Sequence, residues 1–269
     1  MGVSLALKKL ETAIASQLHR HIRTLGPIIH NPQALAQFEA QGVVCLTNAN
    51  DAQKDDYVLI RAHGVPREVE KRLKTACASV EDATCPKVKK AQLAIAKATA
   101  RGASLLLFGE AEHPEVAGLV SYSHAKAYVF GSQLELDHCD FDASKGIVLA
   151  SQTTQDKAAF ERIAETMQKR HKNLKVLSTI CDATRQRQLE ALRIAAQVDV
   201  MVVIGGKSSG NTRRLASLAS EAGIQTFHVE TAEELNIEDF SGKKAAGLTA
   251  GASTPENLID AAEIWLQSI

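Results

Sequence analysis

One supersecondary unit recurs three times along this chain, and that recurrence limits the possible folds more than any single motif does. Short β-branched or leucine-rich runs bounded by turn residues alternate with amphipathic stretches, the signature of an α/β protein with mainly parallel sheets. The pattern predicts strands over residues 27–29, 43–46, 57–61, 79–81, 104–108, 127–130, 146–150, 175–177, 199–204, 226–229 and 245–249. Helices are predicted over residues 2–17, 87–100, 157–169, 185–196, 212–222 and 256–267, with further helices in the copies of the repeat.

The clearest copy starts at Cys85 and presents the loops Glu112-His113-Pro114-Glu115 and Ser151-Gln152-Thr153-Thr154 after two of its strands. The next starts at Cys181 and presents Lys207-Ser208-Ser209-Gly210-Asn211 and Ala250-Gly251-Ala252-Ser253. The first begins at residue 1, with His30-Asn31 and Ala62-His63-Gly64 at the matching places. The expected division is 1–84, 85–180 and 181–269, three α/β domains arranged around a central site. In this register a strand and a cysteine belong directly ahead of Met1, so the sequence reads as beginning one element late.

Basic and acidic side chains balance at 31 each, which argues against bulk electrostatic binding to nucleic acid or a membrane. Any anion must be held locally. By length alone 269 residues suggest about two domains, with enough apolar surface to fold without disulfides. The longest apolar runs, 103–108 and 200–204, fall far short of the roughly 18 residues that span a bilayer. The five cysteines are odd in number and contain no C-x-x-C pair, as expected of a cytoplasmic chain without disulfides or zinc ribbons.

In open parallel sheets ligands bind beyond the carboxyl ends of the strands, where these loops lie. Cys85 and Cys181 each fall at a predicted helix start, where the dipole favours thiolate, the metal-binding form. A lone cysteine is more often a small buried apolar residue. The shared position in two copies favours ligation, whereas Cys45, Cys77 and Cys139 occupy unmatched positions. Pro114 biases His113 toward an extended conformation, so that His113 and Glu115 face one ligand, a proton donor beside an anion contact. His30 and His63 stand at equivalent loop tips; each could equally be a satisfied polar group. Ser209, Asn211 and Ser253 lie beside glycines at helix starts, an arrangement suited to phosphate, though neither a Walker loop nor a G-x-G-x-x-G is present. The basic run Lys87, Lys89, Lys90 reads as a solvated helix face.

The segments Ile29-His30-Asn31, Arg61-Ala62-His63-Gly64-Val65, Asp82-Ala83-Thr84-Cys85-Pro86, His113-Pro114-Glu115-Val116, Gln152-Thr153-Thr154, Ile180-Cys181 with Ala183-Thr184 and Arg187-Gln188, and Thr249-Ala250-Gly251-Ala252-Ser253 occur in this order. Together they resemble the 4-hydroxy-3-methylbut-2-enyl diphosphate reductases of the methylerythritol phosphate route to isoprenoids, over nearly the whole chain. The resemblance implies three α/β domains around a 4Fe-4S cluster held by three cysteines, with one iron open to the substrate hydroxyl. It implies Cys85 and Cys181 as two of those ligands, Glu115 as proton relay and Thr153 as the residue orienting it. It assigns His30, His63, His113, Ser209, Asn211 and Ser253 to the substrate's diphosphate. It also implies reduction to isopentenyl and dimethylallyl diphosphate, with electrons from a protein such as ferredoxin or flavodoxin.

The family's first cluster cysteine lies directly before the Gly2-Val3 motif, a position this sequence does not contain. Either the translated start lies upstream, giving an ordinary reductase, or the ligand is lost, giving a cluster-free diphosphate-binding protein. A third possibility is a zinc hydrolase built on His30, His63, His113 and Glu115.

Overall fold

A computed structural model describes residues 2–16, 21–29, 31–77 and 79–269. In chain order they form α1 (Gly2–Ser16), β1 (Ile22–Leu25), α2 (Pro32–Ala40), β2 (Val44–Leu46), β3 (Tyr57–Ile60), α3 (Arg67–Ala76) and β4 (Ser79–Asp82). There follow α4 (Pro86–Thr99), β5 (Ser104–Phe108), α5 (Pro114–Ser121), β6 (Ala127–Phe130), α6 (Gln133–Asp137), β7 (Ile147–Ser151), α7 (Lys157–Arg170) and β8 (Leu174–Val176). The last elements are α8 (Asp182–Ala195), β9 (Val200–Ile204), α9 (Gly210–Glu221), β10 (Gln225–Val229), β11 (Ala246–Ala250) and α10 (Glu256–Gln267).

The strands build three sheets, ordered β2-β1-β3-β4, β6-β5-β7-β8 and β10-β9-β11, and every pairing is parallel. The α/β class expected from the alternation is therefore the observed one. The sheets repeat one plan: in each, the second strand in space precedes the first in sequence, and the third arrives after a further crossover. The strands ahead of Cys85 and Cys181, β4 and β8, add as a fourth member beside β3 and β7.

Burial explains the composition of the central strands. β3, β5, β7 and β9 are buried at every residue and, but for the terminal Ser104 and Ser151, read as apolar runs, as strands covered on both faces must. Along β5 the side chains alternate: Leu105 and Leu107 pack with Ile95, Val116 and Leu119, while Leu106 and Phe108 pack with Phe130, Phe160 and Ile163. One sheet thus carries two distinct cores.

The chain divides into two compact units, one of residues Met1–Ile28 and Glu39–Cys181, the other of Ile29–Phe38 and Asp182–Ile269. The first holds the sheets of β1 to β8, and the third sheet lies in the second.

One predicted strand is displaced. Residues 27–29 are not extended ladder; the strand is β1, Ile22–Leu25, whose Arg23 masks its β character in the sequence. Arg23 is accommodated by an ion pair from its Nε to Asp56 Oδ1 at 3.2 Å. Gly26 ends the strand with φ +72°, a conformation open to glycine, and donates the last ladder bond to Leu46 O. Pro27 has no N–H with which to continue it. Among the described residues no helix is long and apolar enough to cross a membrane.

Candidate active site

The first unit links five of its segments through hydrogen bonds and one ring contact. Cys85 precedes α4, whose first residue is Pro86, a residue suited to a helix's first position because its missing N–H would have no partner there. The Cys85 N–H donates to Ala62 O at 2.9 Å, which ties the thiol's segment to the loop carrying His63. The His63 ring meets the His113 ring edge-on, with centroids 5.3 Å apart at 85°. His113 caps α5, its Nδ1 accepting from the Glu115 N–H at 3.1 Å. Glu115 in turn accepts two bonds from Thr153, from the backbone N–H to Oε1 at 2.6 Å and from Oγ1 to Oε2 at 3.0 Å. Finally the Cys181 N–H donates to Thr153 O at 3.0 Å, and α8 begins at the next residue. Cys85, His63, His113, Glu115, Thr153 and Cys181 are thereby linked within the first unit.

Glu115 is the electrostatic centre of this series. The side chain is only 2% exposed, and loss of water pushes its pKa from 4.5 up to about 7 against the opposing effect of the two Thr153 bonds. Such a carboxyl holds or releases its proton close to neutrality, as a general acid requires. Because His113 Nδ1 is an acceptor, the neutral ring carries its proton on Nε2.

The second unit places the remaining candidates at the carboxyl ends of β9 and β11. Ser209, buried, caps α9 and accepts from the Thr212 N–H at 3.4 Å. Ser253 is half-buried on the loop after β11. Asn211 Nδ2 and Thr212 Oγ1 are buried and without a hydrogen-bond partner among the described residues. Thr212 escaped the sequence reading because nothing in its neighbours marks it. Its hydroxyl lies where a Cβ on Gly251 would stand, so that the close approach of α9 to the loop after β11 requires glycine there. His30 lies outside the described residues.

Two further groups set the cysteine segments and have no sequence signature. Thr179 Oγ1 accepts from the Ser151 N–H at 2.8 Å and shares a 3.0 Å bond with the Ser151 hydroxyl, fixing the approach to Cys181. Lys89, read as part of a solvated face, instead turns to Asp82 and Glu70 at 2.6 and 3.2 Å. Its side chain finds two carboxylates across the first turn of α4, a pairing that local sequence does not reveal.

All five cysteines are free thiols and half-buried. Cys85 and Cys181, both in the first unit and both at helix starts, fit a thiolate-ligated iron–sulfur cluster in kind. A Cβ on residue 2 would stand 2.6 Å from Cys85 Sγ, so glycine there lets the first turn of α1 reach the thiol itself. Among the described residues no three or more His, Cys, Asp or Glu converge as a metal site. The set His63, His113 and Glu115 is likewise not gathered as a zinc site. Both Glu115 oxygens and His113 Nδ1 are already engaged.

The LytB protein family model matches residues 1–267. The 4-hydroxy-3-methylbut-2-enyl diphosphate reductase of Desulfovibrio desulfuricans is 57% identical over 274 aligned residues, covering 100% of this chain and 96% of the relative. That of Aquifex aeolicus is 40% identical, covering 100% and 92%. A solved (E)-4-hydroxy-3-methyl-but-2-enyl diphosphate reductase, described as the terminal enzyme of the non-mevalonate pathway, superposes with TM-score 0.70 at 37% identity, covering 100% of this chain and 95% of that one. The Plasmodium falciparum enzyme shares the fold, with TM-score 0.89 at 24% identity over 96% of this chain and 82% of that one. With the family model spanning all but its last residues, this chain belongs to the LytB family.

Proposed function

We propose that this protein is an iron–sulfur oxidoreductase that removes the hydroxyl of 4-hydroxy-3-methylbut-2-enyl diphosphate as water, yielding isopentenyl and dimethylallyl diphosphate for isoprenoid synthesis. The observation that carries the proposal is the buried Glu115 carboxyl, held by Thr153 within a series of hydrogen bonds and one ring contact that runs from Cys85 to Cys181. Family membership and the names of the 57% and 40% identical relatives support the same reading.

Cys85 and Cys181 would hold two irons of a 4Fe-4S cluster. Bound there, the cluster supplies electrons and an iron with Lewis acidity toward the hydroxyl oxygen. Overall the cleavage consumes two electrons and two protons, and one proton leaves with the hydroxyl. Glu115 provides it: burial keeps the carboxyl protonated near neutrality, and the Thr153 hydroxyl lies 3.0 Å from its Oε2. While Glu115 is ionised that hydroxyl donates to it; once Glu115 is protonated the hydroxyl is free to orient the substrate oxygen. His63 and His113 would donate to the diphosphate. Ser209, Asn211 and Ser253 are assigned to the same group, and the Asn211 Nδ2 lacks a hydrogen-bond partner among the described residues. His30 is assigned to the same group by resemblance alone.

We assign the electrons to a small donor protein such as ferredoxin or flavodoxin, and the enzyme to the cytoplasm, in line with its free thiols. Each sheet with its helices would be one domain of the threefold repeat. The test is an anaerobic assay of the protein purified from its own cell, with 4-hydroxy-3-methylbut-2-enyl diphosphate and reduced methyl viologen. Oxidation of the dye with release of both five-carbon diphosphates is expected. Iron-loaded protein that leaves the substrate intact would refute the reductase reading, and colourless protein that still binds the substrate would favour the cluster-free alternative.

A further inference from the structure

The turn that presents Cys85 is closed by charge. Asp82, at the end of β4, accepts the Thr84 N–H on Oδ1 at 2.9 Å and meets Lys89 Nζ with Oδ2 at 2.6 Å. Lys89 also donates its backbone N–H to Cys85 O at 2.9 Å, the first helical bond of α4. One residue thus grips the cysteine's carbonyl behind it and, through its side chain, the strand end ahead of it. Lys9 of α1 adds a second hold on the same strand, donating to Asp82 O at 2.9 Å and pairing with Glu81 at 2.9 Å. Glu70 of α3 shares Lys89 at 3.2 Å. The Cys85 side chain itself makes no capping bond, so nothing on its own residue fixes where the sulfur points.

We propose that Asp82 and Lys89 are positioning residues for the Cys85 sulfur, their ion pair closing the segment 82–89 so that the thiol faces the site in one direction. This rests on the reading of Cys85 as an iron ligand. The pair is about a third exposed at Lys89 and a quarter at Asp82, so it adds little to overall stability. Its placement around the cysteine gives it an effect there out of proportion to that contribution. The partners' pKa values move as a real pair requires, Asp82 down and Lys89 up, in each case against the effect of burial.

The test measures Cys85 directly. In metal-free, oxygen-free protein, alkylation of Cys85 by iodoacetamide is followed by peptide mass spectrometry, with Cys181 as internal reference. Rates are taken at the alkaline plateau, where every variant's thiol is fully ionised and only access and direction differ. Lys89→Met should raise the Cys85-to-Cys181 ratio by roughly threefold or more, and Lys89→Arg should restore it. Asp82→Asn, which keeps an acceptor for the Thr84 N–H, gives the same answer if the lysine variant does not fold. In iron-loaded protein, Lys89→Met should also shift the cluster's electron paramagnetic resonance spectrum and hasten iron loss to a chelator. An unchanged alkylation ratio in correctly folded Lys89→Met and Asp82→Asn would overturn the proposal. Wild-type protein that takes up no iron would instead defeat the cluster reading, while the alkylation ratio still decides the role of the pair.

Discussion

Cys85 and Cys181 stand at the same step of the repeat, yet their segments are held by opposite chemistry. Around Cys85 the holds are ionic, Asp82 with Lys89 and Glu81 with Lys9, on side chains that keep part of their surface in water. Around Cys181 they are neutral, with Thr179 bonded to Ser151 where neither side chain keeps more than 7% of its exposure. Desolvating an ion pair at the second place would cost more than the attraction returns, whereas at the first the charges stay hydrated enough to be inexpensive. Between them both backbones use the same device, the cysteine N–H on a carbonyl of the neighbouring loop, Ala62 for one and Thr153 for the other. The repeat therefore preserves the backbone contact and leaves the side-chain hold to local burial.

Glu115 sits between the two segments, and its removal has the largest expected effect. Glu115→Gln should lower turnover by roughly 10²- to 10⁴-fold, the usual contribution of a general acid, with iron content and substrate binding retained. Turnover equal to wild type would take Glu115 out of the proton path and leave the Cys181 side without a chemical role.

The same carboxyl sets a pH dependence. Its pKa is about 7 in the folded chain against 4.5 for an ordinary glutamate, so the folded state holds the proton more tightly. The resulting stability is fully present below about pH 4.5 and is lost as pH rises through about 7, a change on the order of 3 kcal/mol. Urea titrations across this window should show that slope in the wild type and lose it in Glu115→Gln. The acid-dependent step should likewise slow as pH rises through about 7.

The contrast between the two cysteine segments is sharpened by one substitution in each. Thr179→Val removes the acceptor of the buried Ser151 N–H and should cost about 1–3 kcal/mol, read as a fall in urea midpoint. Lys89→Met should cost only about 0–1 kcal/mol by the same measurement. Equal losses would mean that the Cys85 pair is more deeply desolvated than its exposure indicates. The smallest effect is salt: raising ionic strength should narrow the difference between Lys89→Met and wild type and leave that of Thr179→Val unchanged.

Much of this was legible beforehand, for identifiable reasons. The buried strands β5, β7 and β9 are apolar but for the terminal Ser104 and Ser151, and Pro86 marks the helix start beside Cys85. Glu115, read with His113 on an extended loop, instead lies in the first turn of α5, because Pro114 opens that helix. The strand predicted at 27–29 lies at Ile22–Leu25 because Arg23 hides an ion pair with Asp56, a residue distant in sequence. The partners of Lys89, Asp82 and Glu70, were hidden for the same reason. Thr179, Thr212 and Ser151 carry no local mark, since their partners or their burial depend on other strands.

By itself the sequence determined the α/β class, the threefold repetition and the residue types at the loop tips, because hydrophobic period and turn chemistry act over neighbouring residues. Only the tertiary structure decided that Glu115 holds its proton near neutrality, that Thr153 bonds it while anchoring Cys181, and that Lys89 pairs with Asp82. Those properties come from exclusion of water and from contacts between remote segments, and both arise only when the chain folds.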